Sequence, residues 1–108
     1  SNHEEPLMVY VTQECVGKNL LSAREFGEMT LLLGPEQLVL DTSSAIDKLW
    51  DKLEDFSDED FLLPIGDPVA IGLATYVAAY YNSGRVKFLK WDRQEKRYYP
   101  VTSNLLEK

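Results

Sequence analysis

The alternation of apolar and polar positions divides the chain into short strands and two helices. Residues 7–11, Leu-Met-Val-Tyr-Val, form an apolar, β-prone run that predicts a first strand. The stretch 12–27 mixes polar residues with Val16, Leu20, Leu21 and Phe26 and reads as an ordered loop pinned by those apolar side chains. Residues 29–33 and 37–40 are β-prone again. Gly34-Pro35-Glu36 supplies a turn between them, so the pair predicts an antiparallel hairpin. Asp41-Thr42-Ser43-Ser44 offers several N-cap side chains, after which Ile46, Leu49, Trp50, Leu53 and Phe56 recur at helical spacing. A helix over 44–56 follows, with Asp47, Lys48, Asp51, Lys52, Glu54 and Asp55 on its outer side.

The second half is more regular. Residues 61–65 form a short buried strand in which Pro64 withholds a ladder donor and marks an end or a bulge. Asp67 then caps a helix over Pro68–Tyr81 with proline at its first position, where a missing N–H costs nothing. Apolar residues cover nearly all of that helix. Ala70, Ala74 and Ala78 line up as a small-residue stripe and Val69, Leu73, Val77 and Tyr80 as a bulky one. A helix without a polar face must be covered on two sides, either by its own sheet and loops or by a second subunit; the former is the simpler arrangement. Asn82-Ser83-Gly84 ends it, and 85–91 and 97–101 read as two strands around a polar turn at 92–96. Residues 102–108 carry no clear pattern.

Assembled, the order β-β-β-α-β-α-β-β predicts an α+β domain over 7–102. It has a mixed sheet of about five to six strands with two helices packed on it. Two crossover units share the middle strand near Leu63, and short connections make each right-handed. Ser1-Asn2-His3 reads as a tag remnant within a disordered N-terminus over 1–6, and 103–108 as a tail. At 108 residues, with 44% hydrophobic and 27% charged side chains, the chain excludes disorder and a multidomain machine.

Charge sharpens the picture. The net charge is −7, but residues 1–83 hold 4 basic against 15 acidic side chains, whereas residues 84–97 hold 6 basic against 2 acidic. The chain is a dipole in sequence. Its acidic side peaks at Glu54, Asp55, Asp58, Glu59 and Asp60, and its basic side is the C-terminal hairpin with Arg85, Lys87, Lys90, Arg93, Lys96 and Arg97. Bulk attraction to nucleic acid is excluded, but a local basic patch is not.

Cations interleaved with aromatic rings follow phosphates and stack on bases, so Lys87, Lys90, Trp91, Arg93, Lys96, Arg97 and Tyr98 are the candidate binding residues. The plainer reading, which is favoured, gives strand charges to solvation and edge protection, with Val86 and Phe88 turned inward. The acidic cluster lacks the Asp-x-Asp-x-Asp-Gly pattern of a calcium loop, and no His or Cys cluster accompanies it. A solvated helix end explains it, and an acidic surface that enters a basic cleft on another protein is the functional alternative.

No catalytic constellation emerges. Gly66-Asp67-Pro68 sits where phosphate-binding turns sit, but no glycine-rich fingerprint is present and Asp67 puts a carboxylate in the anion's place. Cys15 has Glu14 beside it, and His3 is the chain's only histidine, so neither an activated thiol nor a triad is expected. Tyr76, Tyr80 and Tyr81 read as core or interface rather than as pocket hydroxyls. One cysteine and the lack of a membrane-spanning run predict a cytoplasmic protein without disulfides. No cofactor and no metal are expected.

Two segments carry a resemblance: Leu62-Leu63-Pro64-Ile65-Gly66-Asp67-Pro68-Val69-Ala70-Ile71-Gly72 and Gly84-Arg85-Val86-Lys87-Phe88-Leu89-Lys90-Trp91-Asp92-Arg93-Gln94. On these, residues 20–101 resemble small proteins of unknown function from tailed phages of marine bacteria, cyanophages among them. The resemblance implies expression inside an infected bacterium and brings no activity or functional residue with it. The expected function is therefore that of a small acidic, non-enzymatic interaction or regulatory protein that engages a host or phage protein through the apolar helix, the acidic helix end or the hairpin. Homo-oligomerisation through Pro68–Tyr81 is a further expectation, and single-strand nucleic-acid binding by the hairpin is the alternative function.

Overall fold

The computed structural model describes residues 7–15, 17, 20–36 and 42–107. Five strands form one sheet in the order β2-β1-β3-β4-β5: β1 Met8–Gln13, β2 Glu28–Leu33, β3 Phe61–Leu63, β4 Arg85–Asp92 and β5 Arg97–Asn104. The first four are parallel, and β5 returns antiparallel on β4. Helices α1, Ser43–Lys52, and α2, Pro68–Tyr81, cover one face, and a 3-10 helix, Leu21–Phe26, covers part of the other. This is the expected α+β architecture with a mixed sheet.

Burial explains the order. β1 is buried from Val9 to Gln13 and β3 throughout, because both lie between neighbours and have cover on both faces. Such strands read as continuous apolar runs instead of alternating ones. On the helical face Tyr10, Leu62 and Val86 meet Leu49, Leu53, Ala74 and Val77. On the opposite face Val9, Val11, Phe61, Leu63 and Leu89 meet Ala23, with Leu20 and Phe26 packed against them.

Several elements differ from the sequence expectation. The 12–27 stretch contains the end of β1 and the 3-10 helix; Leu20, Ala23 and Phe26 recur every three residues, the period at which a 3-10 turn eclipses its side chains. That turn makes a third crossover, joining β1 to β2 in parallel. The 29–33 arm of the expected hairpin is thus paired with β1, and the 37–40 arm lies outside the described residues. Helix α1 closes at Lys52 and not at Phe56. Leu53 and Phe56 stay 0% and 4% exposed in the turn that follows, so burial carried the helical period past the helix. The α1 crossover spans β1 to reach β3, whereas the 3-10 and α2 crossovers each link neighbouring strands. β3 stops at Leu63, before Pro64, and β5 runs on to Asn104, where Leu105 N–H donates to the Gly84 carbonyl.

The seat of α2 is built from buried polar groups at the end of β1. Gln13 is 3% exposed; its Oε1 accepts from Asp67 N–H at 2.7 Å and its Nε2 donates to the Glu36 carbonyl at 2.6 Å. Thr12, fully buried, accepts from Ile65 N–H at 2.9 Å and donates to the Ile65 carbonyl. Gly66 turns at φ +108 against Gln13, and Asp67 caps α2 by accepting from Val69 N–H at 2.8 Å. The expected cap and N1 proline both stand.

Candidate functional site

The structure divides the basic hairpin in two. At its inner end Arg85 Nε meets Asp58 at 3.0 Å, with Asn82 donating to the same carboxylate, and these bonds hold the Asp58 carboxyl below the usual carboxylate range. Here the separation of charge seen in sequence is closed within the chain. Lys87 Nζ lies 4.4 Å from the Phe61 ring centroid, a cation–π contact. Both inner cations are therefore engaged. Lys90, Arg93, Lys96 and Arg97 are exposed at the outer end. β4 continues to Asp92 while β3, in register with it at Leu62 and Phe88, ends at Leu63; the ribbon thus projects roughly 10 Å past β3. Asp92 shapes the turn by accepting from Gln94 and Glu95 N–H, and Lys96 closes it at φ 56.

The hairpin's rings are divided as well. Trp91 and Tyr98 are cross-strand partners with centroids 4.9 Å apart at 65°. Tyr98 is 7% exposed and belongs to the core, whereas Trp91 is 42% exposed. Burial raises the Tyr98 phenol above its ordinary value. As a stacking platform for bases, then, the hairpin offers Trp91 but not Tyr98. Together with Leu63, Pro64, Ile65, Leu89 and Lys90 these rings line a cleft of about 460 Å³ at the carboxyl ends of β3 and β4. A second hollow of about 480 Å³, including Gln13, Cys15 and Asp67, opens where the connections from β1 and β3 leave for opposite faces of the sheet. Asp67 already occupies the end of α2 there as its cap.

The sequence offered α2 as an apolar interaction surface over Pro68–Tyr81 without saying which of its residues face outward. Ala70, Ala74, Val77, Ala78 and Ala79 are buried on the sheet, but Val69, Tyr76 and Tyr80 are 50%, 63% and 66% exposed. The helix is covered on one side only. Trp50 of α1 lies edge-on to three tyrosines, at 6.4 Å from Tyr76, 5.2 Å from Tyr80 and 5.3 Å from Tyr81, with interplanar angles of 90°, 90° and 83°. Tyr81 donates its hydroxyl to the Trp50 carbonyl at 2.8 Å and so ties α2 to α1. Desolvation, followed by the nearby charges of Glu54 and Asp51, lifts the Tyr81 phenol above its ordinary value. Tyr81 in turn packs against Tyr80, with ring centroids 5.9 Å apart. The signal in sequence was the i, i+4 pair Tyr76 and Tyr80 on a helix without charge; what it lacked was the neighbour, Trp50.

The mixed sheet, the charge-free α2 and the two aromatic surfaces define a small α+β protein with exposed rings on two sides. Residues 7–105 match the family of phage Pam3 gp32-like proteins, and the chain belongs to that family. No curated protein and no solved structure matches it. Among the described residues, no helix is long and apolar enough to cross a membrane.

Proposed function

We propose that this phage-family protein is a non-enzymatic interaction protein that docks another protein through the outer face of α1 and α2. The observation that carries this reading is the exposure of Tyr76 and Tyr80, packed around Trp50 on a helix without a charged residue. Tryptophan and tyrosine dominate interface hot spots because each buries a large rigid area at little cost in side-chain entropy. An isolated apolar residue on a surface needs no explanation, but a contiguous aromatic cluster does. The expected partner is a host or phage protein in the cytoplasm of an infected bacterium, a reading that membership of a phage-protein family supports. A second copy of the chain, joined through Pro68–Tyr81, is the competing occupant.

The test is capture of proteins from a lysate of infected cells, using the wild-type chain, Tyr76→Ser/Tyr80→Ser and Trp91→Ala as baits. A protein held by wild type and Trp91→Ala but released by the tyrosine variant supports the reading. Equal retention by all three contradicts it. Light scattering at high concentration reads out the second copy directly.

One observation favours a second reading, single-strand nucleic-acid binding: the projecting tip with Lys90, Arg93, Lys96 and Arg97 beside the exposed Trp91 ring. It predicts oligonucleotide affinity that falls with salt at a log–log slope of about −0.7 for each phosphate contacted. No salt-dependent binding would remove it.

A further inference from the structure

We propose that the occupant of the α1–α2 face is a cationic peptide segment, with an arginine or lysine laid over the Tyr76 and Tyr80 rings and its charge beside Asp51 and Glu54. The inference rests on the reading that this face is a docking site and names the chemistry of what docks.

Charge complementarity carries it. α2 contributes no charge from Pro68 to Tyr81, so the electrostatics of the face come from α1 and the turn after it. Asp47, Asp51 and Glu54 are all exposed there. Asp47 precedes Trp50 by three residues, which puts both on one side of α1. The two lysines of α1 do not offset them. Lys52 donates to the Leu31 carbonyl of β2 at 3.0 Å, away from α2, and Lys48 lies about 200° around the helix from Trp50. Tyr81, whose ring lies 5.3 Å from Trp50 and 5.9 Å from Tyr80, feels the charges of Glu54 and Asp51, which ties these carboxylates to the aromatic cluster.

Tyr76 and Tyr80, each about two thirds exposed, leave ring surface open to a cation, and a cation over an aromatic face gains most when a carboxylate is near. An uncharged or anionic partner would have to strip water from Asp51 and Glu54 without replacing it, a cost that selects against it. The field of the whole chain, at −7, draws cations toward the molecule as well.

The chain has two tryptophans, so Trp91→Phe leaves Trp50 as the sole indole, a reporter inside the proposed site. The full-length Trp91→Phe protein is titrated with a peptide of alternating arginine and glycine and with its twin in which citrulline replaces arginine. A saturable change in Trp50 emission is expected with the arginine peptide. Binding should be about tenfold weaker for citrulline, for Asp51→Asn/Glu54→Gln and for Tyr76→Ser/Tyr80→Ser.

Glu25→Gln/Glu28→Gln removes the same charge from exposed positions on the 3-10 helix and at the start of β2 and should leave the affinity unchanged. Equal binding of the two peptides, or equal loss with the Glu25 and Glu28 pair, overturns the proposal. In the capture experiment, a partner released by the tyrosine variant but kept by Asp51→Asn/Glu54→Gln overturns the cationic segment and leaves the docking face standing; a partner kept by both overturns both. Self-association abolished by Asp51→Asn/Glu54→Gln and also by Arg93→Glu/Lys96→Glu supports the proposal and identifies the segment as the hairpin tip of a second copy. Self-association through this face that survives both overturns it.

Discussion

The α1–α2 face and the β4–β5 hairpin are made from similar parts and differ in what surrounds them. Each centres on a tryptophan in edge contact with tyrosine, Trp50 with Tyr80 at 5.2 Å and Trp91 with Tyr98 at 4.9 Å. On the helices, the i, i+4 spacing leaves Tyr76 and Tyr80 on one side, and both stay in water. On the strand, alternation sends consecutive tyrosines to opposite faces, so Tyr98 is buried and Tyr99 is 38% exposed. The helix displays rings as a group, whereas the strand divides them. Exposed carboxylates lie on α1 and in the turn after it, and exposed cations at the hairpin tip, so two comparable sets of rings stand in fields of opposite sign.

The largest test of that contrast is a pair of substitutions. Tyr98→Ala removes a buried ring and should cost about 3 kcal/mol of stability, while Tyr80→Ala, at an exposed position, should cost no more than about 0.5 kcal/mol. Denaturant midpoints read both, and similar losses would erase the distinction between core ring and docking ring. Next in size is Gly66→Ala. A Cβ there would stand 2.6 Å from that of Gln13 at a φ of +108, and the expected loss is about 2 kcal/mol. Hydrogen exchange should quicken in α2 before it does in β4 and β5; uniform quickening would deny that α2 is seated independently of the hairpin.

Alkaline pH gives a smaller effect. The Tyr10, Tyr81 and Tyr98 phenols are raised in the folded chain, chiefly by burial. A raised phenol favours the fold fully below its unfolded value near 10, and that contribution is lost as pH rises through the folded value. Stability should therefore fall above about pH 10, and less steeply in Tyr98→Phe. An unchanged slope would argue against a buried hydroxyl at the hairpin. The smallest effect belongs to Asp58→Asn. The lowered Asp58 carboxyl contributes above its unfolded value and loses that contribution as pH falls through the folded one. Melting at pH 7 should drop slightly for Asp58→Asn, less at high salt, and should match wild type once the carboxyl is protonated.

Legibility in the sequence followed the reach of the cause. Helix α2 was legible to the residue because its cap, its N1 proline and its glycine stop are all local. β4 and β5 were legible from their alternation, apart from their ends. The parallel pairing of β1 and β2 was not, because it depends on a 3-10 crossover whose three-residue period mimics a loop. The site divided in the same way. The chemistry of the hairpin stood in one contiguous run, but its inner cations found partners, Asp58 and Phe61, more than twenty residues away. Trp50 and Tyr80, thirty positions apart, met only once both helices lay on the sheet.

A photoreactive phenylalanine at position 76, compared with one at position 91, separates the two surfaces in a single experiment. In infected cells the account predicts a protein adduct from position 76, mapped to an arginine- or lysine-bearing segment, and none from position 91. An adduct from position 91 alone, or from neither position, would contradict it.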